Sequence, residues 1–408
     1  MSSDSLITAA INNDIEPLMK LVHPDRTKND SDTKYDLKIE DSNSIPLKTN
    51  GLSLLHIAAF ANSLECFLYL QSKCNFPIDI QSNDAKTPFH YAVYAGSCDV
   101  AEYILQYYET NYGLKELERK LFMDDYINPE NKKTSILFLA ALSKTPQIFS
   151  LIFKYGYSCD KFSVKCKETI QDSFKFILSS KNIGCLTALL ANMAKTKLSA
   201  DSTPIMHTIM VQQSEAVPLL LGANFDPSFV SAENRTAMSL ACFYSLEDTV
   251  KQLADVMDNV DLPPNIKAQA AVHWICQSKK PSIAKILCAK GIDVNRLDRD
   301  GRMGPYYSLD IGEEKDTIEI LKEFLNSGLN INYHSKDKNT ILGDFLTAIT
   351  TPTQIIDFLL DNGADPNAII YSQSLTKQTC LDQMKKKARS NPKLRAVYEK
   401  HFGPYKPN

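Results

Sequence analysis

The eight residues "SLLHIAAF" (Ser53 to Phe60) and "TPFHYAVY" (Thr87 to Tyr94) align without a gap, and their histidines, His56 and His90, lie 34 residues apart. The register persists along the chain. "SILFLAAL" places Phe138 at the same position, and steps of 34, 34, 33, 34, 33 and 37 then reach Asp172, Met206, Ser239, His273, Tyr306 and Gly343. Only the step from His90 to Phe138 is long, at 48. A fixed period of this length requires one supersecondary unit copied in tandem, because a unit that small cannot bury its apolar face alone and must stack on its neighbours.

Each interval is filled alike. The motif opens a short apolar helix, a small-residue turn follows, and a second helix-period segment such as "SLECFLYLQ", "SIAKILCAKG" or "TQIIDFLLDNG" completes the unit. Three late units close on "GIDVN", "GLNIN" and "GADPN", with Gly291, Gly328 and Gly363 suited to the left-handed position after a helix. Thr87 is placed to cap the first helix and Pro88 to occupy its first position, where a missing N–H costs nothing. Phe89 faces the core, and Ala92 and the Ala58–Ala59 pair allow close helix approach.

These residues resemble the ankyrin-repeat family, whose unit is a β-turn and two helices with a T-P-L-H-x-A signature. Thr87, Pro88, Phe89, His90 and Ala92 match it in one unit; Ser53, Leu55, His56 and Ala58 match it in another. The resemblance covers nearly the whole chain and implies an all-α solenoid of stacked helix-turn-helix units with β-turn fingers. It also implies that His56, His90 and His273 are structural, His90 bridging the motif threonine and the backbone of the neighbouring turn. Units around Asp172, Met206 and Tyr306 keep the spacing without the histidine, so their junctions must be made differently. The expected division is a single solenoid over 1–408. It has N-terminal capping helices at 1–22, an insertion at 23–49 and repeats at 50–106. A second insertion at 107–130, repeats at 131–370 and a C-terminal cap at 371–408 complete it.

Of the insertions, "KNDSDTKYDLKIEDSNS" reads as a polar loop open to regulation by serine phosphorylation, while Leu114, Leu117, Leu121 and Phe122 suggest added helical turns in the second. The second is either a tolerated extension or a partner contact.

No phosphate loop, zinc helix or nucleophile elbow occurs, and neither insertion gathers a nucleophile, base and orienter. Catalytic residues, metals and cofactors are therefore not expected. Asp298, Asp300 and Gly301 superficially suggest a calcium loop, but Arg296 and Tyr307 would hold its first and twelfth positions, so the tract reads as a repeat turn. With 45 basic and 48 acidic residues the formal net charge is −3, which gives no general attraction to nucleic acid or anionic membrane. No apolar run approaches the ~20 residues a bilayer needs, and the N-terminal residues lack a secretory pattern. The ten cysteines contain no C-x-x-C pair and read as reduced, packed thiols, with a regulatory thiol or metal site as the alternative. Trp274 reads as core packing. The basic tract "MKKKARSNPKLR" reads as the solvated face of a capping helix, or as a nuclear-import or anionic-partner patch. The expected compartment is the cytoplasm, with the nucleus as a second one.

By resemblance, the residue four after each histidine position lies on the inner helix face with which ankyrin proteins grip partners. Here those residues are Phe60, Tyr94, Leu142, Phe176, Met210 and Phe243, turning polar at Gln277 and Asp310. Either they form an apolar binding ladder or packing between repeats covers them. The expected function is a non-catalytic scaffold or adaptor that binds another protein, as a monomer. The alternative is a regulatory or inhibitory subunit occluding a partner enzyme or localisation signal.

Overall fold

The computed structural model describes residues 3–22, 33–36, 47, 49–127, 134–159, 167–192, 203–231, 235–261, 269–309, 314–335, 339–370 and 378–406. Most of the first insertion, the end of the second, Asp310 and part of the C-terminal cap lie outside them. The chain groups into two compact units, Met1–Ser199 with Gly222–Asn224, and Ala200–Leu221 with Phe225–Asn408.

In the first unit, helices pair as hairpins in chain order: α1 (Ser3–Ile11) with α2 (Ile15–Leu21), α3 (Leu54–Phe60) with α4 (Leu64–Leu68), and α5 (Pro88–Ala95) with α6 (Cys98–Tyr112). The second insertion supplies α7 (Leu114–Leu117), a π turn and α8 (Met123–Ile127). Then come α9 (Ile136–Ser143) with α10 (Pro146–Lys154), and α11 (Lys167–Ser179) with α12 (Ile183–Asn192). First helices stack on first helices, α1–α3–α5–α9–α11, and second on second, α2–α4–α6–α10–α12, giving two helical layers.

The second unit repeats the plan. It runs through α13 (Pro204–Met210) and α14 (Val217–Gly222), α15 (Ala237–Phe243) and α16 (Glu247–Val256), then α17 (Ala271–Ser278) and α18 (Pro281–Ala289). A 3-10 turn at Gly304–Ser308 stands where the next inner helix belongs, before α19 (Glu314–Asn326). The segment presses directly on α17: a Cβ at Gly304 would lie 2.9 Å from the Val272 carbonyl oxygen. The pairs α20 (Ile341–Thr347) with α21 (Thr353–Asp361) and α22 (Cys380–Ala388) with α23 (Pro392–Phe402) finish the unit, joined by a short ribbon of β1 (Ile369–Ile370) and β2 (Gln378–Thr379).

Inner helices are apolar on nearly every side because neighbours cover them from three directions: in α3, Leu54, Leu55, Ile57, Ala58 and Ala59 are all buried. Outer helices are amphipathic; α16 buries Val250, Leu253 and Ala254 and exposes its charges. Each buried Leu, Ile or Phe contributes about 1.5–3 kcal/mol.

Helix starts recur at the same place in the unit. Ser53, Thr87, Ser135, Thr203, Thr236, Thr340 and Thr379 are the N-caps, each three residues before the histidine position or its equivalent. The ends recur too, on left-handed residues: Asn62, Lys144, Ser245 and Lys279 close inner helices, and Gly291, Gly328 and Gly363 follow outer ones.

Candidate protein-binding surface

The histidine position is the hinge pin between hairpins. In the first unit the Ser53 amide and hydroxyl donate to His56 Nδ1 at 3.2 and 2.7 Å, and His56 Nε2 donates to the Lys86 carbonyl at 3.0 Å. One ring thus closes its own helix cap and clasps the next turn. His90 repeats the first half, with the Thr87 amide donating to Nδ1 at 3.3 Å. In the second unit the Ala270 amide donates to His273 Nδ1 at 3.0 Å and Nε2 reaches the Arg302 carbonyl at 3.3 Å. Burial pushes the His56 and His90 imidazoles down to about 4 and about 3, and lowers that of His273, so each ring stays neutral at pH 7.

A tyrosine completes this junction, at a position the repeat signature does not mark. Tyr91 meets the His56 ring edge-on at 5.2 Å and Tyr307 meets that of His273 at 5.5 Å, each tyrosine being the residue after the next histidine position. Their hydroxyls are anchored in the same turn the histidine reaches: Tyr91 donates to Asp84 at 3.2 Å and Tyr307 to Asp298 at 2.6 Å. Asp298 also accepts the Arg302 amide at 2.8 Å, which makes the aspartate tract a repeat turn.

Where the histidine is missing, smaller groups take over half its work. Ser239 accepts the Thr236 amide at 3.1 Å and returns its own amide to Thr236. Asp382 does the same for Thr379. Phe138, Met206 and Gly343 keep only the backbone bond to the capping hydroxyl, and Asp172 falls inside the longer α11.

Asparagines carry a second clasp. Asn62 accepts the Asp99 and Val100 amides, capping α6 from the preceding hairpin. In the second unit Asn295 donates to the Gly328 carbonyl at 2.9 Å and accepts the Asn330 amide at 2.7 Å; Asn332 does the same for Gly363 and Asp365 at 3.0 and 2.8 Å. The signal was present, since both asparagines end the closing pentapeptides, but only the glycines had an evident local reason.

The six inner-face residues are not buried. In the first unit Phe60, Tyr94, Leu142 and Phe176 are partly exposed, as is Met210 in the second, and Phe243 is 44% exposed. They are also not bare. Phe60 stacks on Tyr94 at 6.2 Å and Phe176 meets Phe138 edge-on at 6.1 Å. Phe243 is flanked by Tyr244 at 4.9 Å and Trp274 at 5.2 Å, both edge-on. Trp274, expected in the core, is only partly buried and belongs to this surface; α17 turns it toward the exposed ring of Phe243. Gln277 is exposed as the row turns polar.

The second insertion is folded. Leu117, Leu121 and Phe122 are buried while Leu114 is exposed, and Phe122 packs on Phe89 and Tyr157 at 6.2 and 5.2 Å. Buried Asp125 locks it down, accepting the Ile136 amide at 2.7 Å and the Tyr157 hydroxyl at 3.1 Å. Of the first insertion, Tyr35 pairs with Leu52 as an antiparallel bridge.

In the basic tract, Lys387 turns inward to the Ala348 carbonyl and Thr351 hydroxyl, and Arg395 donates to the carbonyls of Ala388 and Arg389. Both are capping contacts. Among the described residues, Asp357, Asp361 and His401 are the one group of metal-ligand types within reach of one another, but the Lys400 ammonium lies 2.8 Å from both carboxylates and makes this an ion-pair cluster. The described cysteines are free thiols; burial pushes Cys66 and Cys185 up to about 11 and Cys242 and Cys276 up to about 12, which suppresses thiolate chemistry. Among the described residues no helix is long and apolar enough to cross a membrane.

Hairpins in two layers, riveted by a histidine to the following turn, define a tandem helical-repeat protein. A family model described as ankyrin repeats (3 copies) matches residues 6–116 and 205–298. The chain belongs to the ankyrin-repeat family, whose repeats generally mediate protein–protein interaction and are typically non-catalytic. No curated protein matches it.

Proposed function

We propose that this chain is a non-catalytic binding scaffold that holds a partner protein on its inner helix faces. The contact residues are Phe60, Tyr94, Leu142 and Phe176 in the first unit, and Met210 and Phe243 in the second. The observation that carries this reading is Phe243, a phenylalanine 44% exposed on an inner helix and braced by Tyr244 and Trp274. An aromatic that the fold leaves in water, held rigid by two others, has already lost the freedom that binding would remove, and interface energy concentrates on such anchors.

His56, His90 and His273, with Thr87 and Pro88, serve the stack and not the partner. The reading is completed by a monomeric, cytoplasmic chain that uses no cofactor, which light scattering and cell fractionation test.

Partners captured from the native cell and identified by mass spectrometry provide the assay. Joint substitution of Phe60→Ser and Phe243→Ser is expected to abolish their capture while helical circular dichroism is unchanged. Undiminished capture overturns the proposal.

A further inference from the structure

The last hairpin is one-sided in charge. Between Asp382 and Glu399 the chain carries Lys385, Lys386, Lys387, Arg389, Lys393 and Arg395 and no acid. Lys386, Arg389 and Lys393 are exposed around the turn from α22 to α23, with Lys385 half-buried beside them. The neighbouring turn, from α20 to α21, is uncharged and holds Ile349, whose side chain is fully exposed. Lys387 ties the two turns together, donating to the Ala348 carbonyl at 3.1 Å and the Thr351 hydroxyl at 3.0 Å. The acids of the packed elements do not neutralise this patch. Asp382 accepts the Thr379 amide at the far end of α22, and Asp357 and Asp361 pair with Lys400 toward the far end of α23. Glu399 accepts the Tyr405 amide, Glu314 and Asp316 flank Lys315 on α19, and Asp344 lines a cleft with Arg302. A chain of net charge −3 thus carries a locally cationic surface with an aliphatic tip.

We infer that these two turns of the second unit dock on an anionic lipid surface, with Ile349 below the headgroups and Lys385, Lys386, Arg389 and Lys393 at the level of the phosphates. A side chain exposed on every side projects and lines no groove, so it offers little to a peptide strand or to the edge of a base. A bilayer accepts a projecting aliphatic tip, while the lysine stems lie along the apolar boundary and their ammonium groups stay wet. Each cation near such a surface contributes about fivefold in affinity, and one apolar contact adds to that without crossing the bilayer. The inner-face row takes no part, so this inference stands apart from the docking reading above.

The test sediments the full chain with vesicles of phosphatidylcholine alone and of phosphatidylcholine containing about 30% phosphatidylserine. The expected result is retention by the serine-lipid vesicles only, weakening as salt rises from about 0.05 to about 0.5 M. The joint change Lys386→Glu and Lys393→Glu should lower that affinity by about tenfold or more, and Ile349→Ser by about tenfold. All three positions are exposed, and circular dichroism checks that each variant folds.

Absence of retention by serine-lipid vesicles, equal retention by neutral ones, or retention indifferent to either change overturns the inference. It is also overturned by a chain that binds single-stranded RNA or duplex DNA oligonucleotides through the same lysines and leaves vesicles alone, which makes the patch a nucleic-acid surface.

Discussion

His56 performs two hydrogen-bonding tasks that only a neutral ring with its proton on Nε2 can combine. Nδ1 must accept from Ser53, and Nε2 must donate to Lys86. Protonation adds a donor where an acceptor is needed and places charge in a buried site. The folded value of about 4 lies below the unfolded value near 6.5, so the unfolded chain binds more protons in between. This stabilisation is therefore complete above about pH 6.5 and is lost as pH falls toward 4, by about 3 kcal/mol for this ring. His56→Asn should lower stability at pH 7 by about 1–3 kcal/mol and remove that share of the acid dependence; urea unfolding at pH 7 and at pH 4.5 reads both. A variant with the parent's acid slope would show that the ring is not the titrating group. Gly96 is the backbone counterpart. It adopts φ +74° at the end of α5, and a Cβ would stand 2.2 Å from Thr145 Oγ1. Gly96→Ala should cost about 1–2 kcal/mol, combining left-handed strain with a clash against the next hairpin, and the urea midpoint measures it.

At the scale of elements, the second insertion is an added piece of core fastened at one carboxyl. Burial pushes Asp125 up to about 7, the opposite direction from the histidines. Between about pH 4 and 7 the folded form holds the proton more tightly than the unfolded one. Its contribution is present below that range and wanes as pH climbs through 7. Asp125→Asn keeps an acceptor for the Ile136 amide without the charge and should flatten this loss. Asp125→Ala should cost about 1–3 kcal/mol and raise amide exchange over residues 114–127 by mass spectrometry, whereas an exchange pattern like the parent's would place the fastening elsewhere. The helical turns of this insertion could be read from Leu117, Leu121 and Phe122; its anchor could not. Asp125 meets groups 11 and 32 residues away, and no local pattern marks an acid destined for a buried helix start. The 3-10 turn at Gly304–Ser308 was hidden because the period is intact there, with Tyr306 in register.

For each unit as a whole, the period, caps and turn glycines were legible because each repeats a local chemical need. What joins one hairpin to the next was legible only in part. The histidine bridge came with the family resemblance, whereas the Asn62, Asn295 and Asn332 clasps and the Tyr91 and Tyr307 contacts appear only when neighbours are in place. The inner-face row was found by counting, but counting could not say how much of it is wet, nor that Trp274 joins it. Stacking also makes stability a neighbour property. A chain ending after Asn367, without α22 and α23, exposes the apolar sides of α20 and α21, including Leu342, Ile355 and Leu359, which are buried in the intact unit. Circular dichroism should then fall by more than the two missing helices contribute, with aggregation on gel filtration; a loss equal to those helices alone would mean the preceding hairpins stand unaided.

The asparagine amides at 295 and 332 are satisfied one hairpin further along, on atoms every late unit supplies at the same place. A crossover between equivalent points of two neighbours regenerates all donors and acceptors, while one offset by a few residues strands an amide and a carbonyl on each side of the joint. Length in this molecule is consequently quantised: it can grow or shrink by whole vertebrae, and fractions of one are selected away.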